Sequence, residues 1–137
     1  MARTTFSGPV ASDNGFIGDI TGNITGNVTG TLSGTVIETT NTATANGTTI
    51  ANSTAITTGI TVVSGADGTK SVVLPTAAAG ISVLIYNTAA TNGLPVLANT
   101  SDTINGGASV TMEGSTWLQA VAVNSTAWLT TIFTADS

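Results

Sequence analysis

The chain has 137 residues and a formal net charge of −5, and only 7% of its residues are charged. Arg3 and Lys70 are its only bases, so it cannot neutralise a row of phosphates, and we expect no nucleic-acid binding. The absence of cysteine and histidine removes thiolate ligands and the commonest general bases. No apolar run approaches the roughly 18 residues of a membrane span. We therefore expect no membrane partner and no cofactor.

Residues 1–17 read as an N-terminal arm. Its apolar side chains are those of Phe6, Pro9, Val10, Phe16 and Ile17. Apolar residues in an arm of this kind favour a contact with another protein or another subunit. The alternative is that the arm adds a strand to the chain's own sheet.

Residues 18–37 repeat a four-residue unit of the form Gly-x-aliphatic-Thr. A helix with glycine at every fourth position would lose about 1 kcal/mol per glycine, so we predict an extended strand. Side chains in a strand alternate between two faces, which gives one polar face and one face of alternating glycine and aliphatic residues. A single chain cannot bury such a face, whereas three copies around an axis can, with glycines allowing close approach. The predicted trimer interface comprises Ile20, Ile24, Val28, Leu32, Val36, Gly22, Gly26 and Gly30.

The repeat could instead fold back as hairpins on its own domain.

Residues 38–58, rich in Thr, Asn and Ala, are interpreted as an irregular or weakly stranded connection. From residue 59 to 137, short apolar runs alternate with turn residues, which is typical of a β-sandwich or barrel. We predict strands at 60–63, 72–74, 81–86, 94–97, 110–112, 117–123 and 128–133, with the last two forming a hairpin. The predicted fold class is all-β.

Few residues could carry chemistry. Asp102 and Glu113 could form a carboxylate pair of the glycosidase type, but isolated acids in turns more often cap the backbone. Asp67, which precedes Gly68, favours an Asx-turn over calcium binding, because the repeated acidic spacing of a calcium loop is absent. Trp117 and Trp128 favour core or interface packing over a sugar-binding platform. The sequence therefore predicts no catalytic residues, no metal site and no enzyme.

Several segments resemble one group of proteins. The opening Thr5-Phe6-Ser7-Gly8-Pro9-Val10 and the following Asn14-Gly15-Phe16 resemble the N-termini of small virion proteins of tailed bacteriophages. The Thr-Gly-Asn-Ile/Val repeat is similar to repeats of trimeric phage fibres, spikes and head decoration proteins. The run from Asp102 to Gly107 and the closing hairpin resemble virion β-domains.

This resemblance implies a structural protein of the virion without catalytic residues. A decoration (cement) protein would be made in the host cytoplasm and bind the major capsid protein on the capsid surface as a homotrimer. The arm residues named above would then make the capsid contact. The alternative is a trimeric tail fibre or spike, or an adhesin module that binds host glycans. The short chain and its few aromatic residues favour decoration.

Overall fold

A computed structural model describes residues 37–57 and 59–134, which form strands and turns and contain no helix. Within this part of the chain there is accordingly no helix long and apolar enough to cross a membrane. The strands are β1 Thr40–Thr44, β2 Thr54–Ala55, β3 Gly59–Ser64, β4 Val72–Val73, β5 Ser82–Asn87, β6 Leu94–Leu97, β7 Thr103–Ile104, β8 Ser109–Met112, β9 Thr116–Ala122 and β10 Ala127–Thr134. The predicted all-β class is confirmed.

The strands form two sheets. One has six strands in the order β1-β3-β5-β9-β10-β7, and the other has four in the order β2-β4-β6-β8. Strands β1 to β6 alternate between the two sheets, and each of β1 to β4 pairs in parallel with the strand two places further along. Each pair of strands is thus one coil of a short β-solenoid. Strands β8, β9 and β10 then close both sheets with antiparallel pairing.

This solenoid corrects the sandwich or barrel suggested by the sequence. Apolar runs with turns every roughly eight to twelve residues suit a meander of hairpins and a solenoid coil equally well. The difference lies at the corners: Gly65 and Gly68 have φ values of 75° and 90°, and the chain there leaves one sheet and enters the other. The turn after β9 instead returns the chain to the same sheet, where Trp128 pairs with Ala122. The predicted hairpin is therefore confirmed.

The core lies between the two sheets and is almost wholly apolar. Its largest fully buried side chains include Trp128, Leu74, Ile85, Leu94, Ile104, Met112 and Leu118. Residues 38–58 contribute to it, because this segment supplies β1 and β2 of the first coil and buries Ala45 and Ile56. Fully burying one large aliphatic side chain is worth about 1.5–3 kcal/mol, so this core is the main source of stability.

One buried amide joins two turns at the end of β5. Asn87 is 0% exposed, and its Nδ2 donates hydrogen bonds to the carbonyl oxygens of Asn92 at 2.9 Å and Glu113 at 3.1 Å. Its Oδ1 accepts a hydrogen bond from the N–H of Ala89 at 3.1 Å. The side chain thus satisfies backbone groups that no strand pairs, as buried backbone requires.

Candidate interaction surface

The side of the six-stranded sheet that faces away from the four-stranded sheet carries a patch of apolar side chains among uncharged polar ones. On β3 and β5 the side chains facing this way are only partly buried, and those between them are mostly fully buried. We call this surface the outer face, and its apolar members are Ile60, Val62, Leu84, Tyr86, Trp117, Val121, Leu129 and Phe133. Leu129 is 56% exposed and Phe133 is 40% exposed. The outer face therefore presents large apolar side chains to solvent.

An aromatic row crosses the outer face. The strand register places Val62 beside Tyr86, Tyr86 beside Trp117, and Trp117 beside Phe133. The ring centroids of Tyr86 and Trp117 are 4.6 Å apart, with the planes inclined by 33°. Aromatic side chains supply much of the contact energy at interfaces, and Tyr and Trp are enriched there.

A shallow cavity of about 260 Å³ adjoins the row at the side of β1 and β3. Thr42, Ala43, Thr44, Val62 and Ser64 line it. The hydroxyl oxygens of Thr44 and Ser64 lie 3.4 Å apart, so the cavity is bordered by hydroxyl groups and by the Val62 side chain. Such a lining suits an uncharged ligand with both polar and apolar faces.

No charged side chain belongs to the outer face among the residues described. Asp67 and Lys70 lie in the turn after β3, where the two side chains form an ion pair with an N–O distance of 3.2 Å. The Oδ1 of Asp67 accepts hydrogen bonds from the backbone N–H groups of Lys70 at 2.8 Å and Thr69 at 2.9 Å. These hydrogen bonds hold the pKa of Asp67 well below its ordinary value, and the bond from the Lys70 N–H contributes most. The predicted Asx-turn is confirmed.

The two acids that could form a carboxylate pair, Asp102 and Glu113, lie near opposite ends of β5. Asp102 is buried, and its Oδ2 accepts the N–H of Ala77 at 2.8 Å, which fixes the turn between β4 and β5. Glu113 is exposed at the start of the turn between β8 and β9. Over residues 37–57 and 59–134 no three acidic side chains lie close enough together to hold a metal ion.

The two tryptophans have different places. Trp128 is 0% exposed and belongs to the core, as the sequence favoured, so it cannot join Trp117 in a sugar-binding platform. Trp117 lies on the outer face beside Tyr86. The aromatic neighbour of Trp117 on this face is therefore Tyr86 and not the second tryptophan.

Both sets of predicted contact residues lie outside the described part of the chain. These are the trimer-interface residues of the repeat, from Ile20 to Val36, and the capsid-contact residues of the arm, from Phe6 to Ile17. Their roles remain predictions.

Sequence reasoning did not identify the outer face. The available signal was the apolar character of consecutive positions, such as Ile60 with Val62 and Val63, or Val83 through Tyr86. A strand that is apolar at every position has apolar groups on both sides, which indicates that both sides are to be covered.

Comparison with protein-family models, with curated proteins and with solved structures gives no match for this chain.

Proposed function

We propose that this chain is a structural protein of a bacteriophage virion, a decoration protein that binds the capsid surface as a homotrimer and stabilises it. The observation that supports it best is the outer face, which is uncharged and carries a patch of exposed apolar side chains crossed by aromatic rings. Interface cores are depleted in charge and enriched in aromatic residues, whereas monomers rarely expose large apolar patches. A protein built to bind other proteins accounts for such a face better than an enzyme or a nucleic-acid binder.

The proposed mechanism requires little chemistry. Three identical subunits hold three capsid contacts at once, so modest individual contacts combine into strong retention. Packaged DNA repels itself more strongly as salt falls, because the phosphate charges are then less screened. A protein that bridges capsomers opposes the resulting expansion.

Co-sedimentation with undecorated capsids, together with the mass in solution by light scattering, tests the proposal. We expect a trimer that sediments with capsids. Deletion of residues 1–17 should abolish capsid binding while the domain formed by the two sheets stays folded. Particles that lack the protein should assemble but release DNA at lower temperature, most clearly at low salt. The proposal would be contradicted by a monomer that does not bind capsids. It would also be contradicted if particles that lack the protein kept the heat stability of complete particles.

A matched pair of variants tests the contribution of the outer face. Leu129→Lys places a charge on it, whereas Thr111→Lys places the same charge on an exposed position of the four-stranded sheet. Burying an unpaired charge is strongly unfavourable, so we expect Leu129→Lys to prevent assembly and Thr111→Lys to leave it intact. Equal behaviour of the two variants would exclude the outer face as a contact surface.

A second candidate function is binding of host glycans by a tail fibre or adhesin. The Tyr86–Trp117 pair beside a hydroxyl-lined cavity favours it, because sugars stack on aromatic rings and hydrogen-bond to hydroxyl groups. Loss of the protein would then abolish adsorption to cells and leave heads heat-stable. The two functions are therefore separated by measuring adsorption and heat release of DNA on the same particles.

A further inference from the structure

The outer edge of β10 is paired over only part of its length. Strand β7 pairs with Ala127 and Trp128 alone. The Oδ1 of Asn105 then accepts the N–H of Thr130 at 3.0 Å, which ends the pairing on this side. Backbone groups alternate in direction along a strand, so those of Ile132 and Thr134 also point outward. Within the described residues no strand pairs with them.

Strand β1 forms the opposite edge of the same sheet. Among the described strands it pairs only with β3, through backbone groups of alternate residues that include Thr39 and Ala45. The backbone groups of Thr40 and Thr42 therefore face away from the sheet. Among the residues that the structure describes, the sheet thus has an unpaired edge at each side.

Neither edge carries the features that native proteins use to prevent pairing between sheets. β1 reads Thr-Asn-Thr-Ala-Thr, and the free part of β10 beyond Thr130 reads Thr-Ile-Phe-Thr, so both lack charge and proline. An uncharged edge without proline or a bulge is a template for another strand. The carbonyl oxygen of Thr44 already accepts a hydrogen bond from the Thr54 hydroxyl at 2.6 Å, so β1 offers four free residues before it. The four residues of β10 beyond Thr130 match this length.

We infer that β10 of one copy pairs with β1 of the next copy around a three-fold axis, with the outer faces turned towards that axis. The inference rests on the proposed homotrimer and names its interface. β1, β3 and β5 are mutually parallel, β9 is antiparallel to β5, and β10 is antiparallel to β9. β10 therefore runs in the same direction as β1. Rotation about an axis along the strands preserves this direction, so the new pairing is parallel.

The dimensions of the sheet are consistent with this arrangement. Five strands at about 4.8 Å spacing make each wall of a triangular prism ~24 Å wide, which places the middle of the wall ~7 Å from the axis. Packed sheets lie about 10 Å apart, so each contributes a side-chain layer of ~5 Å. The remaining space at the middle requires larger side chains. β5 and its neighbour β9 occupy the middle, and they carry Tyr86 and Trp117.

Cysteine cross-linking of the full chain tests this interface, because the protein has no cysteine of its own. Thr131→Cys places a thiol on the outer face of β10, and a second thiol is placed on β1 at Thr40, Thr42 or Thr44 in turn, since all four positions are exposed. Mild oxidation should convert most of at least one double variant into a covalent trimer on a denaturing gel. Thr131→Cys alone should remain monomeric there. Thr131→Cys combined with Thr111→Cys on the four-stranded sheet is the matched control and should also remain monomeric.

Two cross-linking results would overturn the inference. A covalent dimer from Thr131→Cys alone would mean that two β10 edges pair with each other about a two-fold axis. Absence of cross-links in all three double variants would exclude the β10–β1 contact. Light scattering of the unmodified protein separates failure of this interface from failure of the proposed function. A trimer that gives no cross-links excludes this interface and leaves the proposed function intact. A monomer excludes both.

Discussion

Replacing Asn87 by alanine removes the amide that joins the turn after β5 to the turn before β9. The variant loses three hydrogen bonds and leaves two carbonyl groups and one N–H without their partner. An unsatisfied buried polar group costs about 1–3 kcal/mol, and these turns are only partly buried, so water can reach some of the groups. We therefore expect the free energy of unfolding to fall by about 2–4 kcal/mol.

Urea denaturation followed by tryptophan fluorescence measures this loss. For a domain of this size each 1 kcal/mol corresponds to a change in Tm of about 4–8 °C, so the effect is also visible by heating. Asn124→Ala is the matched control: the Oδ1 of Asn124 accepts the N–H of Thr126 at 2.8 Å in an exposed turn, and we expect a loss below about 1 kcal/mol. Asn87→Asp should be worse than Asn87→Ala, because a buried carboxylate would face two carbonyl oxygens. If Asn87→Ala were as stable as the control variant, the Asn87 amide would not stabilise the two turns that it joins.

Three further predictions concern single side chains. The lowered pKa of Asp67 means that its contribution to stability is full above the unfolded value of about 3.9 and is lost as the pH falls towards the folded value; Asp67→Asn should therefore weaken the acid dependence of urea denaturation below pH 4, and an unchanged dependence would contradict this. Nε1 of the buried Trp128 has no hydrogen-bond partner among the described residues, so Trp128→Phe should cost less than half of the about 3–5 kcal/mol expected for Trp128→Ala, as measured by circular dichroism. The buried hydroxyl of Thr61 is likewise unpartnered there, so Thr61→Val should leave stability unchanged or raise it, and a loss above about 1 kcal/mol would reveal a missing partner.

The sequence by itself determined the all-β class, most strand positions and the closing hairpin. These features depend on neighbouring residues: β-branched runs favour strands, and glycine and asparagine between them favour turns. The Asx-turn at Asp67 was predictable for the same reason, since its bonds reach only two and three residues along the chain.

Tertiary structure decided which sheet each strand joins. A turn such as that at Gly65 and Gly68 can reverse the chain within one sheet or lead it into the other, and the local residues allow both outcomes. The choice depends on which pairing buries Val72 and Val96 against Val63 and Ile85, and those contacts join residues far apart in the chain. Strand pairing also placed Trp128 in the core and Trp117 beside Tyr86 on the outer face. Residues of adjacent strands become neighbours only once the register is fixed.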